Sequence, residues 1–373
     1  MKKTKITRIE CNYYKKKLSS DISDARNTIK FRSFVLIKIY TNKNVVGFGE
    51  AASFNNSGDL VVSVTKFLSK KLINQELPEP DEFYNKSFNE TLHFGRRGLV
   101  LNALSGLDIA LWDLKSKIKK IPIKKLFNIN VKKINFYFNG GYFKKKNTLE
   151  FLINSFQKAH EANAFGFKFK GGKSIKDDHR RYKTINKLNK KNLKIMMDLN
   201  GNVDINYIKK LSKYIDPTKL YWLEEPITIN SLDNLKILKR NVKFKIAGYE
   251  IEQTFEGWKN LILSKTIDIA QPDTIWSGGV TECLKICKFC NKNNISYVPH
   301  NFASIISLAS NAFMAAKSKT RLIEVDSNEN PFLWNINKNK TFIIKNGKID
   351  IPNNIYGFGV DIDEKKIEKF RII

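Results

Sequence analysis

Eight short apolar runs recur every two dozen or so residues between Ile134 and Asp326, and no other feature of the chain narrows its possible folds as far. In order they are Ile134–Asn139, Phe165–Lys170, Leu193–Leu199, Leu220–Glu225, Phe244–Glu250, Ile267–Asp273, Ile295–His300 and Arg321–Asp326. Seven of them end in, or lead straight into, a polar group capable of chemistry. Those groups are Lys168 and Lys170, Asp198, Glu224, Glu250, Asp273, His300 and Glu324. From Asp198 to Glu224 is 26 positions, from Glu224 to Glu250 again 26, and the next steps are 23, 27 and 24. A strand, a helix and two loops take about that length, so the pattern predicts successive β/α units.

A barrel of such units needs roughly 250 residues. The chain has 373, so more than a hundred remain for a second unit. Lys5–Cys11, Phe34–Tyr40 and Val45–Glu50 read as three strands of a meander, with the charged stretch Tyr14–Asn27 as a mobile loop. Leu60–Leu72 is a helical pattern, Pro78 and Pro80 read as stops, and Gly98–Ile118 is a longer helix with one strongly apolar face. These give an α+β domain over residues 1–125, a barrel over 126–326, and a segment 327–373 that packs back on the first domain. Asn346–Gly347 marks a hairpin turn in that last segment.

Several classes are set aside by composition. No run reaches the ~20 apolar residues of a membrane span. Met1 to Lys17 is basic but has no apolar stretch, so no secretory signal is read there and the cytoplasm is the expected location. The net charge of +30 invites a nucleic-acid reading. The lysines are scattered rather than gathered in a binding module, so no nucleic acid and no membrane are expected as partners. Cys283, Cys287 and Cys290 have the spacing of an iron–sulfur motif, yet they share one face of a helical pattern and read as buried core.

In a β/α barrel the residues ending the strands point into one shared cup. Asp198, Glu224 and Glu250 would converge there, and three carboxylates so close require neutralising, by a bound cation or, alternatively, by a neighbouring lysine for each. All-oxygen ligation suits a hard ion, Mg2+ first. Lys168 and Lys170 alternate along one strand and face the same way, so each should depress the other's pKa and yield a usable base. On the other side His300 ends a strand, and Asp273 can fix its tautomer. A metal flanked by a lysine base and a His–Asp dyad can take a proton alpha to a carboxylate from either face and stabilise the enediolate.

The motifs carrying these residues resemble those of the mandelate racemase subgroup of the enolase superfamily over nearly the whole chain. They read GFGEAA at Gly47–Ala52, then FKFKGG, MMDLNGN, LEEP, AGYE, QPD with its glycine pair, VPHN and RLIEVD. The resemblance implies a modified TIM barrel, (β/α)7β, capped by an α+β domain completed by the C-terminal tail. It makes Lys170 the base, Lys168 its tuning or substrate-carboxylate partner, and Asp198, Glu224 and Glu250 the Mg2+ ligands. Asp273 and His300 form the dyad, and Glu324 is an acid donating to the enediolate. Asn200, Lys168 and Tyr142 are expected at the substrate, and the loops near Tyr14–Asn27 and Ser53–Gly58 are expected to close over it. The implied reaction is dehydration of an acid sugar, aldonate or aldarate, to a 2-keto-3-deoxy acid by a homo-oligomeric lyase. Racemisation or epimerisation by the same groups is the alternative, and a non-catalytic cationic binding protein a distant one.

Overall fold

The computed structural model describes residues 3–373. Strand β1 (Ile6–Ser23) runs antiparallel to β2 (Thr28–Thr41), which pairs on its other side with β3 (Val46–Ala51). Tyr14–Asn27, expected as a mobile loop, is therefore mostly strand. Its pairing runs from Tyr14↔Phe34 to Lys17↔Phe31 and resumes at Ile22↔Ile29 after a register shift. Only the tip turns, where the Asp24 carboxylate accepts from the backbone N–H groups of Arg26 and Asn27, both at 2.7 Å. Leu18 and Ile22 bury against Tyr142 and hold the strand in place. Lys15, Lys16 and Lys17, which suggested a loop, decorate an edge strand, where such charge discourages pairing with another chain.

Three helices pack beside this sheet: α1 (Gly58–Ser69), α2 (Pro80–Gly95) and α3 (Leu99–Lys119). The second was not anticipated. Pro80 opens it rather than ending anything, because a proline in the first turn gives up no helical hydrogen bond. Asp81 and Glu82 follow at the positive end of the helix dipole. The third helix is buried from Val100 through Leu114. It approaches β3 so closely that a Cβ on Gly49 would collide with the Gly106 carbonyl oxygen, which accounts for the small residues of GFGEAA. A short helix, α4 (Ile123–Leu126), leads onward.

From there strands and helices alternate. The order is β4 (Lys133–Gly140), α5 (Thr148–Glu161), β5 (Gly166–Lys170), α6 (Ile175–Leu188), β6 (Lys194–Asp198) and α7 (Ile205–Leu211). It continues with β7 (Trp222–Glu224), α8 (Leu232–Asn241), β8 (Ile246–Gly248), α9 (Phe255–Leu263) and β9 (Ile269–Ala270). Last come α10 (Gly279–Lys292), β10 (Ser296–Tyr297), α11 (Ile305–Lys317) and β11 (Leu322–Asp326). All eight sequence-predicted barrel strands are present. They pair in parallel from β4 round to β10, and β11 returns to pair with β4, giving the (β/α)7β barrel.

Side chains of Ser174, Asp204, Ser231, Thr254 and Ser304 accept from the first backbone N–H groups of α6, α7, α8, α9 and α11. Each such cap stabilises its helix by about 1 kcal/mol and fixes where the strand-end loop stops. Inside the barrel, Tyr137, Met196, Trp222, Ala247, Ile269, Val298 and Leu322 form one buried apolar plug drawn from both sides of the β10–β11 seam. Two residues further along each strand lies the next inward layer, and there the polar groups begin. The three helical cysteines are buried and free on α10.

The tail divides its contacts. Strands β12 (Ile344–Lys345) and β13 (Lys348–Asp350) flank Asn346–Gly347, and β13 pairs with the start of β4, so the hairpin joins the barrel sheet. Beyond it, Phe358 donates its N–H to Asp113 of α3 at 2.8 Å. Past the one-turn helix α12 (Glu364–Ile367), Ile372 donates to the Tyr13 carbonyl of β1 at 2.8 Å. Among the described residues no helix is long and apolar enough to cross a membrane.

The sheet-and-helix unit is held to the barrel by polar contacts. Trp112 Nε1 donates to Thr281 Oγ1 at 2.9 Å, and Asp108 accepts from the Thr281 backbone N–H at 2.9 Å. Glu50, fully buried on β3, accepts from the N–H and Oγ of Ser304 and from the N–H of Ser307 at the start of α11.

Candidate active site

Period-2 alternation decides which side chains enter the barrel. On β5 the phenyl rings of Phe167 and Phe169 face the outer helices, which turns Lys168 and Lys170 inward together. On β6 and β7 the register sets Lys170 beside Asp198 and Asp198 beside Glu224. Glu250 follows β8, Asp273 follows β9, His300 follows β10, and Glu324 lies on β11 opposite Tyr137. All eight named groups therefore ring one end of the barrel.

Their contacts are specific. Lys168, essentially without solvent contact, is ion-paired to Glu224, lies 3.0 Å from Glu324 and 3.9 Å from Asp198. Lys170 Nζ lies 2.5 Å from Asp198 Oδ2. Trp222 Nε1 and Gln271 Nε2 donate to Glu224 at 3.0 and 2.7 Å, and the Tyr137 hydroxyl donates to Glu324 at 3.1 Å. Across the barrel, His300 Nδ1 lies 2.9 Å from Asp273 and Nε2 lies 2.9 Å from Glu250. Asn311 Nδ2 donates to Asp273 at 2.7 Å and so fixes the carboxylate that orients the ring.

The electrostatics depart from expectation in one respect. Burial alone would lower the ammonium pKa of both lysines, and Lys168 adds its own downward push on Lys170. Glu224 and Glu324 around Lys168, and Asp198 beside Lys170, outweigh those effects, and both lysines end well above their ordinary value. The expected depression by the neighbouring lysine is present at Lys170 but is the smaller force. Burial likewise works against the His300 cation, but Glu250, Glu324 and Asp273 hold its pKa well above the usual range.

The three expected metal carboxylates are each held by a separate cation, Asp198 by Lys170, Glu224 by Lys168 and Glu250 by His300. Six carboxylates (Asp198, Glu224, Glu225, Glu250, Asp273 and Glu324) share this end of the barrel with three cationic side chains, Lys168, Lys170 and His300. Glu225 feels the excess, since burial and repulsion from Glu250, Asp198 and Glu224 push its pKa well up. An all-oxygen set carrying surplus negative charge fits a hard divalent ion.

The expected substrate contacts are also at this end. Asn200 follows β6, its Oδ1 buried without a hydrogen-bond partner among the described residues. The Tyr142 ring lies 4.9 Å from Lys170 Nζ, and its hydroxyl accepts from Asn139 Nδ2 at 3.3 Å. Sequence reasoning missed Gln271, Asn139 and Glu225. Gln271 was legible in principle, lying two residues before Asp273, and Asn139 ends the first of the expected barrel strands. Glu225 is the second acid of LEEP.

A cavity of about 340 Å3 opens from this cluster, lined by Glu250, Asp273 and His300 together with residues of β2 and of the loop after β3. That size is in the range of small-molecule sites, roughly 300–1,000 Å3. Ser53, Asn55 and Asn56 of the expected specificity loop are on its wall.

Comparison with known proteins agrees with this architecture. Residues 9–127 match the family described as mandelate racemase/muconate lactonizing enzyme, N-terminal domain, and residues 153–366 match the enolase C-terminal domain-like family. The chain is 29% identical over 358 residues to an arabinonate dehydratase of Saccharolobus solfataricus, covering 94% of this chain and 95% of the relative. It is 26% identical over 380 residues to a D-galactarolactone cycloisomerase of Agrobacterium fabrum, covering 99% of both. Among solved structures, the 3,6-anhydro-D-galactonate cycloisomerase of Zobellia galactanivorans superposes with a TM-score of 0.90 at 25% identity, over 99% of this chain and 100% of that one. The L-talarate/galactarate dehydratase of Salmonella typhimurium, crystallised with Mg and L-lyxarohydroxamate, gives a TM-score of 0.89 at 20% identity, over 100% and 94%.

Proposed function

Because the chain belongs to the enolase superfamily, in its mandelate racemase and muconate lactonizing branch, we propose that it is an acid-sugar dehydratase. In this reading it removes the proton alpha to the carboxylate of an aldonate or aldarate and expels the 3-hydroxyl as water, leaving a 2-keto-3-deoxy acid. The observation that carries the reading is the His300–Asp273 pair facing the Lys168–Lys170 pair across one barrel, with carboxylates in excess between them. An elimination needs a base for the proton and an acid for the leaving hydroxyl, and the two walls offer one each. Relatives named as arabinonate and L-rhamnonate dehydratases support the same class of reaction.

Asp198, Glu224 and Glu250 would hold Mg2+, which supplies Lewis-acid stabilisation for charge building on the substrate carboxylate. With Asp198 so engaged, Lys170 loses the partner that keeps its pKa high and becomes the base. Lys168, buried between Glu224 and Glu324, stays cationic and steadies the substrate carboxylate. Glu324 accepts from Tyr137 and pairs with Lys168, so it must first take up a proton to serve as the acid donating to the enediolate oxygen. His300, an imidazolium between Asp273 and Glu250, protonates the departing hydroxyl. The C–H proton goes to Lys170, the C–O bond breaks as His300 delivers its proton, and the enol product tautomerises to the ketone.

A second reading, 1,1-proton transfer, is favoured by the same opposition of Lys170 and His300, since two proton-transfer groups on opposite walls can serve both faces of an enediolate. Incubating the protein and Mg2+ with a panel of aldonates and aldarates, and trapping 2-keto acids, tests the choice. Keto acid from one sugar acid supports dehydration. Exchange of the alpha proton with no keto acid supports racemisation or epimerisation instead.

A further inference from the structure

The last residues of β3 reach the surroundings of the His300–Asp273 pair along two separate routes. Glu50, the buried carboxylate of that strand, sits over the N-terminus of α11. Its Oε1 accepts from the Ser304 N–H at 3.1 Å, and its Oε2 accepts from the Ser304 hydroxyl at 2.5 Å and the Ser307 N–H at 3.0 Å. The helix dipole and the unpaired first N–H groups favour a negative group there. One turn further along α11, Asn311 Nδ2 donates to Asp273 Oδ1 at 2.7 Å, and Ser307 Oγ lies 3.5 Å from the same oxygen. The second route starts at Ala52, whose N–H donates to the Ile275 carbonyl at 3.4 Å. The Ile275 N–H in turn donates to Asp273 Oδ1 at 3.1 Å.

Asp273 is thus held by α11 and by the chain after β9, and the end of β3 is bonded to both. Its other oxygen, Oδ2, faces His300 Nδ1 at 2.9 Å. Glu50 lines the same cavity as this pair, but both its oxygens are already committed to α11, which favours a supporting role over substrate contact. Ser53, Asn55 and Asn56 on the cavity wall follow it in the chain, so the strand that leads into this loop also steadies the dyad.

Taking the role of His300 from the dehydratase reading, we propose that Glu50 is a positioning residue. By anchoring the first turn of α11 it holds Asp273, and through Asp273 the ring of His300, where the departing hydroxyl is protonated. An amide cannot replace the carboxylate. Whichever way the amide turns, its NH2 faces a backbone N–H of α11, leaving that buried donor unsatisfied and loosening the turn. Displacing a catalytic group by about 1 Å through such a remote change can cost ~100-fold in rate.

The test compares Glu50→Gln with Asp108→Asn in the full-length protein with Mg2+. Asp108 is an equally buried acid that also ties the first domain to the barrel, but through Thr281 of α10. In Glu50→Gln, kcat is expected to fall about 10- to 100-fold with KM changed less than about twofold. The chain has four histidines, so after isotopic labelling of histidine the NMR signal of the His300 Nδ1 proton can be assigned by its loss in His300→Asn. That signal should move or broaden in Glu50→Gln and stay in place in Asp108→Asn. An unmoved signal in folded Glu50→Gln, an unchanged kcat, or an equal shift in Asp108→Asn overturns the inference. Should Glu50→Gln not fold, Ser304→Ala, which removes the hydroxyl and keeps the carboxylate, carries the same expectations. The signals need no substrate. Wild-type protein that neither forms keto acid nor exchanges the alpha proton therefore overturns the dehydratase reading, while the signals still decide whether Glu50 holds His300.

Discussion

Lys170 Nζ lies 2.5 Å from Oδ2 of Asp198, and this contact governs the protonation of the residue assigned as base. While the carboxylate faces the ammonium, Lys170 keeps its proton. In the proposed mechanism a divalent cation held by Asp198 would reverse that preference and so couple metal binding to activation of the base.

Replacing either proton-transfer group should therefore remove turnover without removing the fold. Lys170→Ala and His300→Asn are each expected to lower kcat by about 10²–10⁴, the usual worth of a positioned acid or base. Far-UV circular dichroism should be unchanged. Retention of full activity by both folded variants would contradict the assigned roles.

Asp273→Asn is the corresponding test of orientation. The carboxylate accepts from Asn311 and holds His300 Nδ1 at 2.9 Å, and an amide in its place would face the Asn311 amide. A fall in kcat of at least ~10² with KM little changed is expected. A change confined to KM would mean that Asp273 serves binding alone.

Chelation should abolish activity reversibly, and Mg2+ should also raise the thermal midpoint of the protein. Six carboxylates beside three cationic side chains are relieved by a divalent ion, and saturation at a hundred times Kd contributes about 2.7 kcal/mol. Calorimetry with and without the ion reads this in the absence of substrate. No shift with Mg2+, Mn2+ or Ca2+ would contradict the metal assignment.

Stability should fall as pH rises from 5 to 8. Burial raises the carboxyl of Glu50 from an ordinary 4.5 to about 7 and that of Asp108 from 3.8 to about 8. Both are raised in the folded state, so the stability they contribute is fully present below their unfolded pKa. It is lost as pH climbs through about 7 and about 8. For Glu50 the change is on the order of 3 kcal/mol. Asp108→Asn should flatten the upper part of the profile measured by urea unfolding, and an unaltered slope would show that Asp108 is ionised throughout.

The barrel was legible because each strand advertises itself twice, as an apolar run and as the polar residue that ends it. The capping sheet was less so. Its longest strand carries Lys15, Lys16 and Lys17 on an edge, where charge is compatible with pairing, and only Leu18 and Ile22 hint at burial. Helix α2 was hidden because Pro80 reads as a stop when the chain is scanned from its N-terminal side. The ion pairing of Lys170 was not foreseen, for a different reason. Alternation reveals that two lysines share a face, but not that Asp198 and Glu224, one and two strands away, outweigh them. Contacts between distant segments, such as Glu50 with Ser304 or Arg32 with Asp326, leave no periodic trace, and they required the assembled fold.

One catalytic cycle is expected to break an alpha C–H bond and expel the neighbouring hydroxyl. The most direct measurement is NMR of an aldonate panel incubated in D2O with the protein and Mg2+. Formation of a 2-keto-3-deoxy acid bearing deuterium at C3, abolished in His300→Asn, is the predicted result. Alpha-deuterated sugar acid accumulating with no keto acid, or no change in any compound, would contradict it.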